Sequence, residues 1–326
     1  MVVNIMKLNI ETIHVLQLEG PEMGPHVVLL AGVHGDEYEP MVACHQIFAQ
    51  LRGKLKNGQI TIVPNVNPTA YLQGTRQGED GLDLARICPG KEEGSASERA
   101  AFSVSKWIRE ADYLIDMHTG GLLYDIYPLA GYMLHEDDQI LEVQRQMALA
   151  FQLPLIWGTE STPNGRTLSV ARDAGIPSIY LEFGGGTGFR KQVVKAYVSG
   201  FFNFLKSVKM IEGEPELLST EKYYWVEDAR LDSGYLQGKM PSPAEGIYLP
   251  DVEIGQLVKK GDKWGEIMDP LTGQITPLIV DTDGLVFLMR NVVRVNKGDA
   301  LGGILPISKK GKIRIDVLGN KSPKVE

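Results

Sequence analysis

Residues 27–33 read VVLLAGV, seven positions without one polar side chain. The run is far below the roughly 18 residues of a membrane helix. Unbroken apolarity over this length fits a strand buried on both faces, and such strands lie inside parallel or mixed sheets covered by helices. Directly behind it stand His34, Gly35, Asp36 and Glu37, followed over 37–51 by helical spacing of Met41, Ile47, Phe48 and Leu51 and then Gly53. A buried strand therefore ends in polar groups just where a helix begins.

The same alternation continues. Residues 59–66 read as a strand stopped by Asn67 and Pro68, 97–110 as a helix, and 113–117 as a strand ending at His118. Residues 137–151 and 168–173 read as helices, 178–181 as a strand broken by Gly184–Gly186, and 193–208 as a last amphipathic helix. Strands alternating with helices predict an α/β fold with a largely parallel or mixed sheet. The charged, Gly-rich stretch 73–94 reads as a long loop, and loops of that length are functional or disordered. Residues 1–15 alternate like a strand, without a basic segment followed by an apolar one, so no signal peptide is expected.

The composition changes at the acidic, Pro-containing stretch 212–216. From Tyr223 onward short apolar strands alternate with Gly and Pro turns, an all-β pattern. The segment 258–267 (VKKGDKWGEI) returns as 295–304 (VNKGDALGGI), and the pairs Glu245-Gly246 and Asp283-Gly284 open the two copies. Two such units predict a small pseudo-symmetric β sandwich. It resembles the barrel-sandwich hybrid of lipoyl and biotinyl carriers. The nearest string to a carrier's modified lysine is Met289-Arg290-Asn291, and an arginine cannot form that amide.

Chemistry gathers at three strand ends. His34 and Glu37, three residues apart at a helix start, can face one point and bind one Zn²⁺. Alone the pair is a weak signal, because Glu37 also suits a helix N-terminus. His118 ends a second apolar strand and Glu182 a third, and strand C-termini in an open α/β sheet share one crevice. Two histidines and one glutamate with the fourth position open make a catalytic zinc composition. Glu182 is then the natural water-activating base. His45, His14, His26 and His135 stand outside the cluster, and Trp225, Tyr248 and Trp264 read as core. Gly184–Gly186 lacks the Lys-Ser/Thr of a phosphate loop.

Six fragments occur in a recognisable order: Gly32–Glu37, Asn67–Ala70, Gly74–Arg76, Asp83–Arg86, Asp116–Gly120 and Tyr180–Gly186. Over about residues 25–210 the chain resembles the succinylglutamate desuccinylase/aspartoacylase family, relatives of zinc carboxypeptidases. The resemblance implies a zinc-carboxypeptidase-like mixed sheet flanked by helices, followed by the small barrel-sandwich-like β domain. The expected division is a zinc hydrolase domain over 1–211, a linker over 212–220 and a β domain over 221–326. It further implies one Zn²⁺ on His34, Glu37 and His118, with Glu182 as general base and Arg76 stabilising the oxyanion. Arg86 matches the arginine that holds a substrate carboxylate, and Arg172, ten residues before Glu182, is placed like another. Where the family has Asp-Leu-Asn-Arg this chain has Ala85, which removes an amide donor beside Arg86.

The implied activity is hydrolysis of the amide bond of a small-molecule N-acyl amino acid. A carboxypeptidase acting on short or modified peptides shares the same zinc core, and a non-catalytic zinc-dependent binding protein would have no need of Glu182. Lys plus Arg number 33 against 41 Asp plus Glu, a net charge of −8 that argues against a nucleic-acid partner. Two cysteines make no disulfide scaffold and suit a reducing cytosol. The expectation is a soluble cytoplasmic protein with no membrane partner, with a homo-oligomer left open.

Overall fold

A computed structural model describes residues 13–216, 223–231, 233–234 and 240–306. Residues 1–12 of the alternating N-terminal segment, 217–220 of the expected linker and the basic stretch 309–312 lie outside them.

The first part runs β1 (Leu16–Glu19), β2 (Glu22–Leu30), α1 (Tyr38–Leu51), β3 (Asn57–Val63), α2 (Pro68–Gln73), α3 (Ala96–Arg109), β4 (Tyr113–His118) and β5 (Tyr124–Met133). It continues with α4 (Asp138–Ala150), β6 (Leu155–Thr159), α5 (Thr167–Asp173), β7 (Ser178–Gly184) and α6 (Lys191–Ser207). The second part is all β: β8 (Tyr224–Asp228), β9 (Gly246–Pro250), β10 (Leu257–Val258), β11 (Lys263–Met268), β12 (Ile275–Ile279), β13 (Gly284–Arg290), β14 (Arg294–Val295) and β15 (Gly302–Pro306). The expected architecture is borne out, a mixed sheet between helices plus a separate antiparallel sheet. Among the described residues no helix is long and apolar enough to cross a membrane.

The main sheet follows the order β1-β3-β2-β4-β7-β5-β13-β10, with β6 on β5, β8 on β6 and β15 on β13. Strands β3, β2, β4 and β7 are mutually parallel, and β5 runs antiparallel to β7. The unbroken apolar run is explained by what covers it. Val27, Leu29 and Ala31 face the layer of α1, α4 and α6, where Ile47, Leu51, Phe201 and Phe204 pack. Val28, Leu30 and Val33 face α3 and α5 through Val104, Ile108 and Val170. Both faces are dry, so polar alternation has no place in β2, and each large side chain contributes about 1.5–3 kcal/mol by burial.

Four elements of the first part were not legible in the sequence: β1, α2, β5 and β6. In β5, Pro128 and Gly131 disguise a ten-residue strand. The β5–β7 register shifts between Ile126 and Leu129, so Pro128 falls at an irregularity where the ladder needs no donor from it. Gly131 has a different reason: a Cβ there would lie 2.2 Å from the Tyr180 ring on β7.

The repeat folds as a swapped pair. Strand β9 pairs with β11 of its own copy and with β14 of the other, while β13 pairs with β15 of its own copy and with β10 of the other. Each sheet thus takes strands from both copies. Between them lie Val258, Val295, Val286 and Ile267, with Trp264 Nε1 donating to Tyr248 Oη at 2.7 Å. Trp264, Tyr248 and Trp225 are core residues, as their sequence context predicts. Strand β13 also pairs antiparallel with β5, Leu288 opposite Ile126, which joins the β region to the main sheet.

A largely buried polar cluster fixes the far edge. The Glu227 carboxylate on β8 accepts from Tyr132 Oη at 2.6 Å and from Arg145 Nε and Nη2 at 2.8 Å each, while Trp225 Nε1 donates to Tyr132 Oη at 2.8 Å. Removing one partner of a buried ion pair leaves the other charge uncompensated, which typically costs about 3–5 kcal/mol. Glu227→Ala should therefore lower unfolding free energy by about 3 kcal/mol in urea titration, and Tyr132→Phe by about 1–2 kcal/mol. A loss below about 1 kcal/mol for Glu227→Ala, the level of an exposed pair, would deny the cluster that role.

Candidate active site

The turn between β2 and α1 is clamped from outside. A Cβ on Gly35 would lie 1.9 Å from the backbone carbon of Ala70 in α2, so only glycine permits this approach. Helix α2 is itself capped by Asn67, whose Oδ1 accepts from Ala70 N at 3.3 Å. The clamp points His34 and Glu37 inward. Glu37 occupies the N-cap position of α1, yet its side chain makes no cap hydrogen bond. Its carboxylate goes to two imidazoles instead.

His34 Nδ1 lies 2.7 Å from Glu37 Oε1, and His118 Nδ1 lies 3.0 Å from Glu37 Oε2. The backbone N–H of Thr119 donates to Oε2 at 3.2 Å. The three side chains are 4%, 2% and 7% exposed, and one donor atom from each lies within 4.8 Å of the others. Two imidazole nitrogens and a carboxylate converging in a dry pocket fit a metal ion. The outward ring nitrogens face carboxylates, as those of metal-binding histidines usually do: His118 Nε2 is 3.1 Å from Asp116 Oδ2, and His34 Nε2 stands 3.4 Å from Asp83 Oδ1 without a hydrogen bond. Thr167 at the start of α5 donates to Asp116 Oδ2 at 2.5 Å, and Tyr197 on α6 donates to the His118 carbonyl at 2.6 Å.

The β4–β7 register sets Glu182 directly beside His118. Glu182 Oε2 is buried and has no hydrogen-bond partner. Burial raises the Glu182 pKa well above the usual carboxylate range, and the Glu37 charge adds to this against the opposing pull of His118. Burial also disfavours charge on Glu37, but the His34 and His118 imidazoles outweigh it and hold that group ionised. The two glutamates thus have opposite protonation tendencies, each set in part by His118.

One cavity of about 150 Å³ is lined by His34, His118 and Glu182 together with Arg76, Arg86 and Arg166. Arg76 Nε donates to Asp83 Oδ2 at 2.9 Å, and its Nη1 reaches within 3.5 Å of His34 Nδ1. Burial opposes charge on Asp83, but His34, Arg76 and Arg86 overcome it and hold its pKa far below the ordinary value. Asp83 also caps a 3-10 turn over Leu84–Arg86 by accepting from Ala85 N at 3.0 Å, which sets Ala85 and Arg86 on the cavity wall. Tyr124, Ile126, Leu168 and Leu288 supply apolar wall, the last from the β region.

Six of the seven residues singled out in the sequence meet in this cavity or at its metal-type centre. Arg172 does not. Its guanidinium donates to the carbonyls of Ser161 and Pro163 and to Asn164 Oδ1, pinning the stretch before α5. The guanidinium that reaches the cavity is Arg166, at the N-cap of α5. Its neighbour Gly165 forms a β-bridge with Cys88, two residues from Arg86. The signal for Arg166 was a cation at the mouth of a helix. Spacing back from Glu182 leads to Arg172, six residues too far along that helix.

The chain is 28% identical over 290 residues to the N-alpha-acetyl-L-2,4-diaminobutyric acid deacetylase of Halomonas elongata, covering 87% of this chain and 83% of that one. A crystal structure of a succinylglutamate desuccinylase/aspartoacylase from Rhodobacter sphaeroides superposes with a TM-score of 0.80 at 27% identity, over 90% of this chain and 88% of the other. The product-bound ectoine utilization protein EutE (DoeB) of Ruegeria pomeroyi shares the fold, with a TM-score of 0.81 at 24% identity and the same coverage of 90% and 88%. Residues 23–208 match the model of the succinylglutamate desuccinylase/aspartoacylase catalytic domain, and the chain belongs to that family.

Proposed function

We propose that the chain is a Zn²⁺-dependent hydrolase that cleaves the amide bond of a small N-acyl amino acid. The observation that carries this reading is the convergence of His34, Glu37 and His118 beside the unpartnered, buried Glu182 oxygen. Zn²⁺ on those three donors would supply Lewis-acid polarisation of the acyl carbonyl and acidify water. Glu182 takes the water proton and returns it to the leaving amine. Arg76, oriented by Asp83, donates to the oxygen on which charge develops, a type of contact worth about 3–4 kcal/mol when preorganised. Arg86 and Arg166 hold the substrate carboxylate, for which guanidinium forks are suited. The small cavity and the activity named for the Halomonas relative both favour a small acyl amino acid over a peptide.

Elemental analysis of purified protein should find close to one zinc per chain, and His118→Ala should strip most of it; full zinc in that variant would remove His118 from the ligand set. Glu182→Gln should keep the metal and lose about 10²–10⁴-fold in kcat. Loss of zinc in this variant, or near-normal turnover, would end the base assignment. Arg86→Ala and Arg166→Ala should each raise KM at least about tenfold, as expected when a charged hydrogen bond is removed. An unchanged KM in both would place the carboxylate elsewhere.

A further inference from the structure

We propose that Tyr180 is a substrate-binding residue whose hydroxyl donates a hydrogen bond to the carboxylate of the N-acyl amino acid, beside Arg166. The proposal rests on the hydrolase reading above and adds to it a residue outside the metal and arginine sets.

Tyr180 lies on β7 two residues before Glu182, so the two side chains emerge on the same face of the strand. Both line the cavity. Their Cα atoms are separated by about 6.6 Å, twice the strand rise, a distance that one amino-acid molecule spans. The phenol ring lies over Gly131, its cross-strand partner on β5. A Cβ at position 131 would stand 2.2 Å from Cζ and 2.5 Å from the hydroxyl oxygen of Tyr180. Glycine at that point is what lets the hydroxyl lie across β5 on the cavity floor. Any other residue would push the ring out.

The hydroxyl meets no hydrogen-bond partner among the described residues, and the residue is half-buried, with its open side on the cavity. A hydroxyl that lines a cavity with its proton uncommitted is open to an acceptor on a bound ligand. Its electrostatic neighbours are Glu182 and Arg166. Burial, reinforced by Glu182, raises the phenol pKa, so the group remains an O–H donor across the working pH range. Arg166 has donors only, and a phenol beside it with a free proton completes a site for an acceptor. A carboxylate supplies about four lone-pair sites, and these accept from an O–H donor as well as from the Arg86 and Arg166 guanidinium groups. Ala85 on the same wall brings no side-chain donor of its own.

Tyr180→Phe keeps the ring over Gly131 and removes only the hydroxyl. Across a panel of N-acetyl amino acids its KM should rise about 10–100-fold with kcat within about twofold, the pattern of a contact made equally in ground and transition states. The corresponding N-acetyl amino acid amides, which lack the carboxylate, should show the same kcat/KM with either protein. Calorimetric titration of zinc-loaded Glu182→Gln with N-acetyl amino acids, with and without Tyr180→Phe, measures the contact without turnover. Unchanged KM and unchanged binding in a variant that melts like the wild type would overturn the proposal, as would equal losses on acids and amides. If the wild type hydrolyses nothing in the panel while Tyr180→Phe still weakens binding, the hydrolase reading fails and the Tyr180 assignment stands. If the protein binds none of the panel, both fail.

Discussion

A carboxylate buried as deeply as Glu37 is strongly disfavoured alone, because the loss of hydration far exceeds what one neutral hydrogen bond returns. Much of the surrounding structure answers that cost. Two imidazoles and the Thr119 amide face its oxygens. Each imidazole leans in turn on another carboxylate, Asp83 for His34 and Asp116 for His118. Asp83 is fastened to Arg76, and Asp116 to Thr167. The relay of alternating charge thus runs from the centre out to the 73–94 loop on one side and to α5 on the other. Such a network is rigid because moving any member strands a neighbour without its partner.

The sheet supplies the coordinates for this network. Parallel strands β2, β4 and β7 deliver their C-terminal ends to one side, and the β4–β7 register places His118 and Glu182 shoulder to shoulder. The direction then reverses at β5. Because β5 returns antiparallel along β7, its residues floor the cavity where a further parallel strand would have sent its connection across the opening. The reversal also gives β13 an edge to join, and Leu288 reaches the cavity wall by that route.

The readable and unreadable parts of the fold divide along this reversal. Strands β2, β4 and β7 and helices α1, α3, α4 and α6 announce themselves through apolar runs and helical spacing, since each buries a face against a helix layer. The metal-type residues were legible because they stand at the ends of those strands. Strand β5 was hidden by Pro128 and Gly131, which oppose strand formation as isolated residues. Both make sense only with β7 alongside, one at a register shift and one beneath the Tyr180 ring. Arg166 was obscured for a related reason: its place is set by the bridge between Gly165 and Cys88, a contact between segments far apart in the chain. Spacing within one segment cannot show what two segments do to each other.

The exchange of strands between the two copies of the repeat bears on how the molecule comes into being during synthesis. Neither copy can complete its own sheet, since β9 waits for β14 and β10 waits for β13. The chain has made its last metal-site neighbour at Glu182, but the wall residue Leu288 emerges 288 − 182 = 106 residues later. At about 5–20 residues per second that is an interval of about 5–20 s. Throughout it the ribosome-bound chain has every residue of the buried polar centre and no finished wall around the cavity beside it. The protein is therefore made from the inside out, with its buried polar centre complete before the final strands close the cavity wall.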